Sequence, residues 1–132
     1  MTSTQTLTEQ NRALLRDFYD AALRGDMAAL TSYFTDDVVV SEPDFLPYGG
    51  DYRGSEGFAA LLAAMAPHAD LAGLVVGEIH ADGNTVYTTI GLPDKHTGEL
   101  VELIERADIE NGRIAQLSIF AHTARSLAVP RA

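Results

Sequence analysis

Apolar residues recur at helical spacing in the first half of the chain and alternate with polar ones in the second. Leu14, Leu15, Phe18, Tyr19 and Ala22 fall on one helical stripe, with Arg12, Arg16, Asp17, Asp20 and Arg24 mostly off it. Thr6 followed by Glu9 has capping-box spacing and predicts the start of that helix. Gly25-Asp26 ends it, and Asp26 caps a short second helix whose apolar side is Met27, Leu30 and Phe34. The β-branched run Val38-Val39-Val40 predicts a strand, stopped at Ser41-Glu42-Pro43. From Asp44 to Gly54, glycines and prolines argue against a regular element, while Tyr48 and Tyr52 suit a loop that packs onto something. Ser55 is placed to cap a third helix bearing Phe58, Leu61, Leu62 and Met65 on one face, and Pro67 stops it. Four strands follow. Leu71 to Ala81 and Thr85 to Leu92 flank the turn Asp82-Gly83-Asn84, and Glu99 to Ile109 and Arg113 to His122 flank Asn111-Gly112.

The predicted order is helix, helix, strand, helix and a four-stranded antiparallel meander. Three helices are then available to cover the apolar face of the sheet, an α+β arrangement. The 132 residues suit one domain over 1–132, with 1–6 and 124–132 read as flexible tails. Composition narrows the chemistry. There is no cysteine, which removes disulfides, thiolate catalysis and thiolate metal sites and fits a cytoplasmic setting. Nineteen acidic against nine basic side chains give a net charge of −10, and no basic run exists, so nucleic acid is not an expected partner. No apolar stretch has membrane-spanning length, and the polar start, Met1 to Thr6, does not read as a secretory signal. The four histidines lack metal-ligand spacing such as His-x-x-x-His, and Gly49-Gly50 lacks the spacing and lysine of a phosphate loop. No metal or cofactor is expected.

Two stretches carry a family resemblance. One is Phe34-Thr35-Asp36-Asp37-Val38-Val39-Val40-Ser41-Glu42-Pro43; the other is Pro47-Tyr48-Gly49-Gly50 followed by Tyr52-Arg53-Gly54 and a helix. With the order of elements, they resemble the nuclear transport factor 2-like superfamily, which includes ketosteroid isomerase and the SnoaL-like polyketide cyclases. The resemblance spans roughly Thr6 to Thr123. It implies a cone-shaped, curved antiparallel sheet (an α+β barrel) wrapped by the three N-terminal-half helices around a pocket for a small hydrophobic molecule. It also implies pairing into a homodimer through the outer sheet face, here Leu100, Ile104, Ser118 and Phe120. By the same resemblance Glu42 takes the position of the isomerase's general base. With a one-residue gap its oxyanion-hole tyrosine falls on Tyr19, without the gap on Phe18, and a one-residue turn difference puts its second acid at Glu105. The fold hosts isomerases, cyclases, hydrolases and pure binders, so the activity does not follow from the family.

Strand parity gives an independent reading. Val38, Val40 and Glu42 share one face, as do Val101, Leu103, Glu105, Ala107 and Ile109, because side chains alternate. Glu105 among apolar neighbours has to be paired, protonated or functional. Two desolvated carboxyls facing one cavity would let one take a proton while the other donates, with Tyr19 or Tyr87 as hydrogen-bond donor to an oxyanion. The catalytic candidates are therefore Glu42, Glu105 and Tyr19. The expected substrate contacts are Phe18, Tyr48, Phe58, Leu62, Tyr87, Leu103 and Ile119. His122 joins them, although parity sets it with Ser118 and Phe120. The expected chemistry is cofactor-independent acid–base catalysis, isomerisation or cyclisation or epoxide opening, on a polyketide-, terpenoid- or steroid-like compound. A non-catalytic small-molecule-binding domain is the competing reading.

Overall fold

The computed structural model describes residues 3–121, with side chains from residue 5. Helix α1 (Ser3–Arg24) comes first, followed by α2 (Met27–Ser32), strand β1 (Phe34–Glu42), strand β2 (Gly50–Arg53) and α3 (Gly54–Met65). A single 3-10 turn at Leu71–Gly73 leads into β3 (Val75–Asp82), β4 (Thr85–Pro93), β5 (Leu100–Glu110) and β6 (Arg113–Ala121). The six strands form one curved, unclosed sheet in the order β2-β1-β6-β5-β4-β3. Strand β2 apart, the order of elements and the α+β class are those the periodicity predicts. The sheet is mixed rather than wholly antiparallel, because β1 runs parallel to β6. A parallel pair needs a long crossover, and here α3 and the β3–β5 meander supply it. No helix among the described residues is long and apolar enough to cross a membrane.

The predicted helical stripe is what buries α1: Leu15, Phe18 and Tyr19 are in the core, with Leu14 and Ala22 packed at its edge, and Ala21 joins the core beside them. Polar side chains fix its other end. Buried Asn11 donates through Nδ2 to Gly83 O at 2.7 Å and to Asn84 Oδ1 at 3.1 Å, and Thr8 Oγ1 accepts from Gly83 N at 2.8 Å. The β3–β4 turn is thus clamped to the helix by groups whose own hydrogen-bonding needs are met. Asp26 caps α2 as expected, accepting from Ala29 N at 3.1 Å. Phe18, Phe34 and Phe58 meet from α1, β1 and α3 in tilted and edge-to-face contacts, with neighbouring ring centroids 5.5 and 5.0 Å apart.

Several boundaries differ from the sequence reading. Helix α1 already includes Ser3 to Thr6, so Thr6 is inside the helix rather than at its cap. The cap position of α3 is Arg53 rather than Ser55. The stretch from Asp44 to Gly54 contains a regular element after all. Strand β2 folds back antiparallel on β1, pairing Gly50 with Glu42 and Arg53 with Val39. Its entry depends on Gly49, where a Cβ would stand 2.3 Å from the Pro43 carbonyl oxygen. The β5–β6 turn matches its prediction: Asn111 (φ 50°) and Gly112 (φ 77°) are both left-handed, as a two-residue primed hairpin requires.

Candidate functional site

Between the inner face of the sheet and the helices lies a cavity of about 210 Å³. Phe18, Tyr19 and Ala22 of α1 cover one side of it, Met27 and Leu30 of α2 lie beside them, and Phe58, Leu61, Leu62 and Met65 come from α3. The sheet contributes Val40, Glu42, Ile90, Leu92, Leu103, Glu105, Leu117 and Ile119, and Tyr48, Leu71 and Leu74 complete the wall. Apart from the two carboxyls and two phenols, every side chain in that wall is apolar. No lysine, arginine or histidine of the described residues lines it.

Alternation along the strands explains how the carboxyls arrive there. In β1, Phe34, Val38, Val40 and Glu42 are the buried positions. Glu42 is the last inward residue before Pro43, and only 8% of its surface is exposed. In β5, Glu105 continues the inward row of Val101, Leu103, Ala107 and Ile109, opposite Thr88 on β4 and Ile119 on β6. Tyr19 reaches down from α1 and its hydroxyl lies 2.8 Å from Glu105 Oε1. Neither carboxyl has a salt-bridge partner among the described residues.

That environment disfavours negative charge. Burial, and next the charge on Glu105, push Glu42 from its ordinary 4.5 up to about 8. Burial also raises Glu105, opposed by the Tyr19 hydrogen bond, which favours the ionised form. Tyr19 is driven well above the usual phenol range, first by burial and then by the Glu105 charge. Tyr48 is raised as well, by burial and by the nearby charges of Glu42 and Asp94. Both tyrosines therefore stay neutral, and Tyr19 serves as a hydrogen-bond donor to Glu105.

The structure brings together Glu42, Glu105, Tyr19, Phe18, Tyr48, Phe58, Leu62, Leu103 and Ile119, all read from sequence as site residues. Both candidates for the helix position, Phe18 and Tyr19, line the cavity. Tyr87 does not: it lies on the outer face of the sheet, 41% exposed, with Arg106 over its ring at 5.7 Å. Its neighbours Val86 and Thr88 take the inward positions of β4, and period-2 alternation then sends Tyr87 outward. His122 lies outside the described residues. Met27, Leu30, Met65, Leu71 and Leu74 join the wall without having been singled out as site residues. The signal was present for Met27, Leu30 and Met65, which carry the apolar sides of α2 and α3. Two histidines 28 residues apart also meet. His68 Nδ1 and His96 Nε2 are 2.9 Å apart, and the His68 ring lies 6.1 Å from that of Tyr48. No group of three or more histidine, aspartate and glutamate side chains placed to hold a metal ion occurs among the described residues.

Three helices on one curved, open sheet, with a cavity between them, define the nuclear transport factor 2-like fold. Solved structures share it. Bal32a, from a soil-derived mobile gene cassette, superposes with a TM-score of 0.80 at 20% identity, over 92% of this chain and 95% of that one. A candidate ketosteroid isomerase from Kribbella flavida gives 0.72 at 20% identity, over 95% and 85%. A candidate polyketide cyclase from Sinorhizobium meliloti gives 0.67 at 24% identity, over 82% and 94%. Among curated proteins no sequence matches this chain. The SnoaL-like domain profile matches residues 15–117, and the chain belongs to that family.

Proposed function

We propose that this protein is a cofactor-independent acid–base catalyst, of isomerase or cyclase type, acting on a small apolar molecule in the cavity. The observation that carries the reading is the pair Glu42 and Glu105, facing one apolar cavity with no cation beside them. A pocket that only bound apolar molecules would gain nothing from two desolvated carboxyls, each of which costs folding stability. For catalysis they are useful. A carboxyl whose ionisation lies near neutral pH exchanges protons efficiently at that pH. One carboxylate removes a proton from a carbon next to a carbonyl, and the electron pair moves onto the carbonyl oxygen. The other carboxyl, still protonated, returns a proton at the oxygen or at a further carbon, and bulk water resets the pair. Family membership and the two solved relatives described as candidate isomerase and cyclase agree with this chemistry.

The volume bounds the substrate. A cavity of about 150 Å³ accepts benzene, so about 210 Å³ suits a one- or two-ring body, or a larger skeleton that projects through the mouth. The test is deuterium exchange from D2O into a panel of apolar ketones bearing acidic C–H bonds, followed by mass spectrometry. The wild type is expected to accelerate exchange, and the double variant Glu42→Gln/Glu105→Gln to abolish it with the fold intact. Saturable binding without exchange by the wild type, or full exchange by the double variant, would overturn the catalytic reading.

A further inference from the structure

Thr88 is fully buried, and its Oγ1 closes no hydrogen bond of ordinary geometry among the described residues. It sits on β4 directly across from Glu105, and its hydroxyl is near enough to the Tyr19 phenol to favour that group's ionised form. It is not part of the cavity wall. A buried hydroxyl proton with no acceptor is costly, and the Tyr19 phenol oxygen is an acceptor within its neighbourhood.

Donor accounting gives that pair a direction. If Thr88 donates to Tyr19 Oη, the phenol proton points to Glu105, which accepts it more strongly as a carboxylate than as a neutral acid, and every proton in the chain has an acceptor. In the opposite direction a protonated Glu105 donates to Tyr19 Oη, Tyr19 donates to Thr88 Oγ1, and the threonine proton is stranded. Successive hydrogen bonds in one direction also polarise one another. Glu42 has no such support: no side-chain or backbone donor among the described residues bonds to its carboxyl. The other groups facing these carboxyls do not change the comparison. From the loop before β2, Tyr48 faces Glu42 and is neutral, while β6 offers Glu105 only Leu117 and Ile119.

We infer that Thr88 is a positioning residue whose hydroxyl turns the Tyr19 proton onto Glu105. Glu105 is thereby the carboxylate that ionises first and takes the substrate proton, and Glu42 the acid that returns one. The assignment of catalytic roles rests on the acid–base reading above, and it is the reverse of the roles that the resemblance to ketosteroid isomerase implies for these two positions.

The test needs no substrate. Carboxyl carbons of glutamate are followed by NMR through a pH titration of the full chain, assigned with Glu42→Gln and Glu105→Gln. The expected result is two carboxyls titrating above the ordinary range, the lower midpoint belonging to Glu105. Thr88→Val, which keeps the shape and deletes the hydroxyl, should raise the Glu105 midpoint and lower that of Glu42, and Thr88→Ser should restore both. In a Tyr19→Phe background Thr88→Val should move neither, which a merely loosened fold would not reproduce. If Thr88→Val does not fold, Thr88→Ala reads the same loss, and the order of ionisation in the wild type stands by itself. Glu42 ionising first, or midpoints indifferent to loss of the Thr88 hydroxyl, would overturn the inference while leaving the acid–base reading in place. Both carboxyls titrating at ordinary values would overturn both.

Discussion

Replacing Glu42 with glutamine should stabilise the protein, by an amount that grows with pH. Glu42 ionises at about 4.5 in an unfolded chain and at about 8 when folded. It is almost fully covered, so solvent screening discounts the difference little. The gap is about 3.5 pH units, and at about 1.4 kcal/mol per unit it costs the folded state about 5 kcal/mol once Glu42 is ionised. Because the folded value is the higher one, the native state holds a proton that the unfolded state has shed between pH 4.5 and 8. Stability therefore falls as pH rises through that window; the penalty is absent below it and complete above it. Glutamine resembles the protonated acid and carries no such penalty. Relative to wild type, Glu42→Gln should gain under about 1 kcal/mol at pH 5, about 3 kcal/mol at pH 7 and about 5 kcal/mol at pH 9. Against a typical domain stability of about 5–15 kcal/mol, the last figure is large. Urea melts at the three pH values measure it. With a slope of about 1–3 kcal/mol per molar, the pH 7 midpoint should rise by about 1–3 M. A difference that is flat in pH, or a wild type more stable than the variant at pH 9, would refute the claim that Glu42 is held desolvated.

Two further outcomes follow from which face each side chain takes. Leu62→Trp should fill the cavity and weaken binding of an apolar fluorescent probe at least tenfold, whereas Tyr87→Ala, on the outer face, should leave the probe's affinity unchanged; loss of affinity in the second variant would put Tyr87 back in the site. Leu100, Ile104 and Phe120 stand about half exposed on that outer face, an apolar patch of the kind that pairs with a second copy. Light scattering should give a dimer that Ile104→Glu converts to a monomer, and a wild type that stays monomeric at high concentration would exclude pairing.

Local period and turn chemistry determined much of this protein. The helical stripe of α1, the Asn111-Gly112 hairpin and the apolar face of α3 were legible because each depends on residues within a few positions of one another. The inward placement of Glu42 and Glu105 was legible for the same reason: a strand alternates strictly, so an acid in register with Val38 and Val40, or with Leu103 and Ala107, must share their face. Tyr87 shows the rule applied incompletely. Its phenol suits an oxyanion donor facing the pocket, yet Val86, Thr88 and Ile90 already mark the opposite parity as inward.

Tertiary structure decided what depends on distance between segments remote in sequence. Tyr19 and Glu105 are 86 residues apart and form a 2.8 Å contact. His68 and His96 meet only because the loop after β4 folds back on the end of α3, where Lys95 N donates to His68 O. Whether β1 would pair with β6, and in parallel, was likewise beyond local patterning, since an apolar strand face carries no label for its neighbour. The ionisation of the two carboxyls belongs to this second category as well. Periodicity shows that an acid points inward, but the loss of water around it and the presence of a second acid and a phenol arise only when helices and sheet close over the same space.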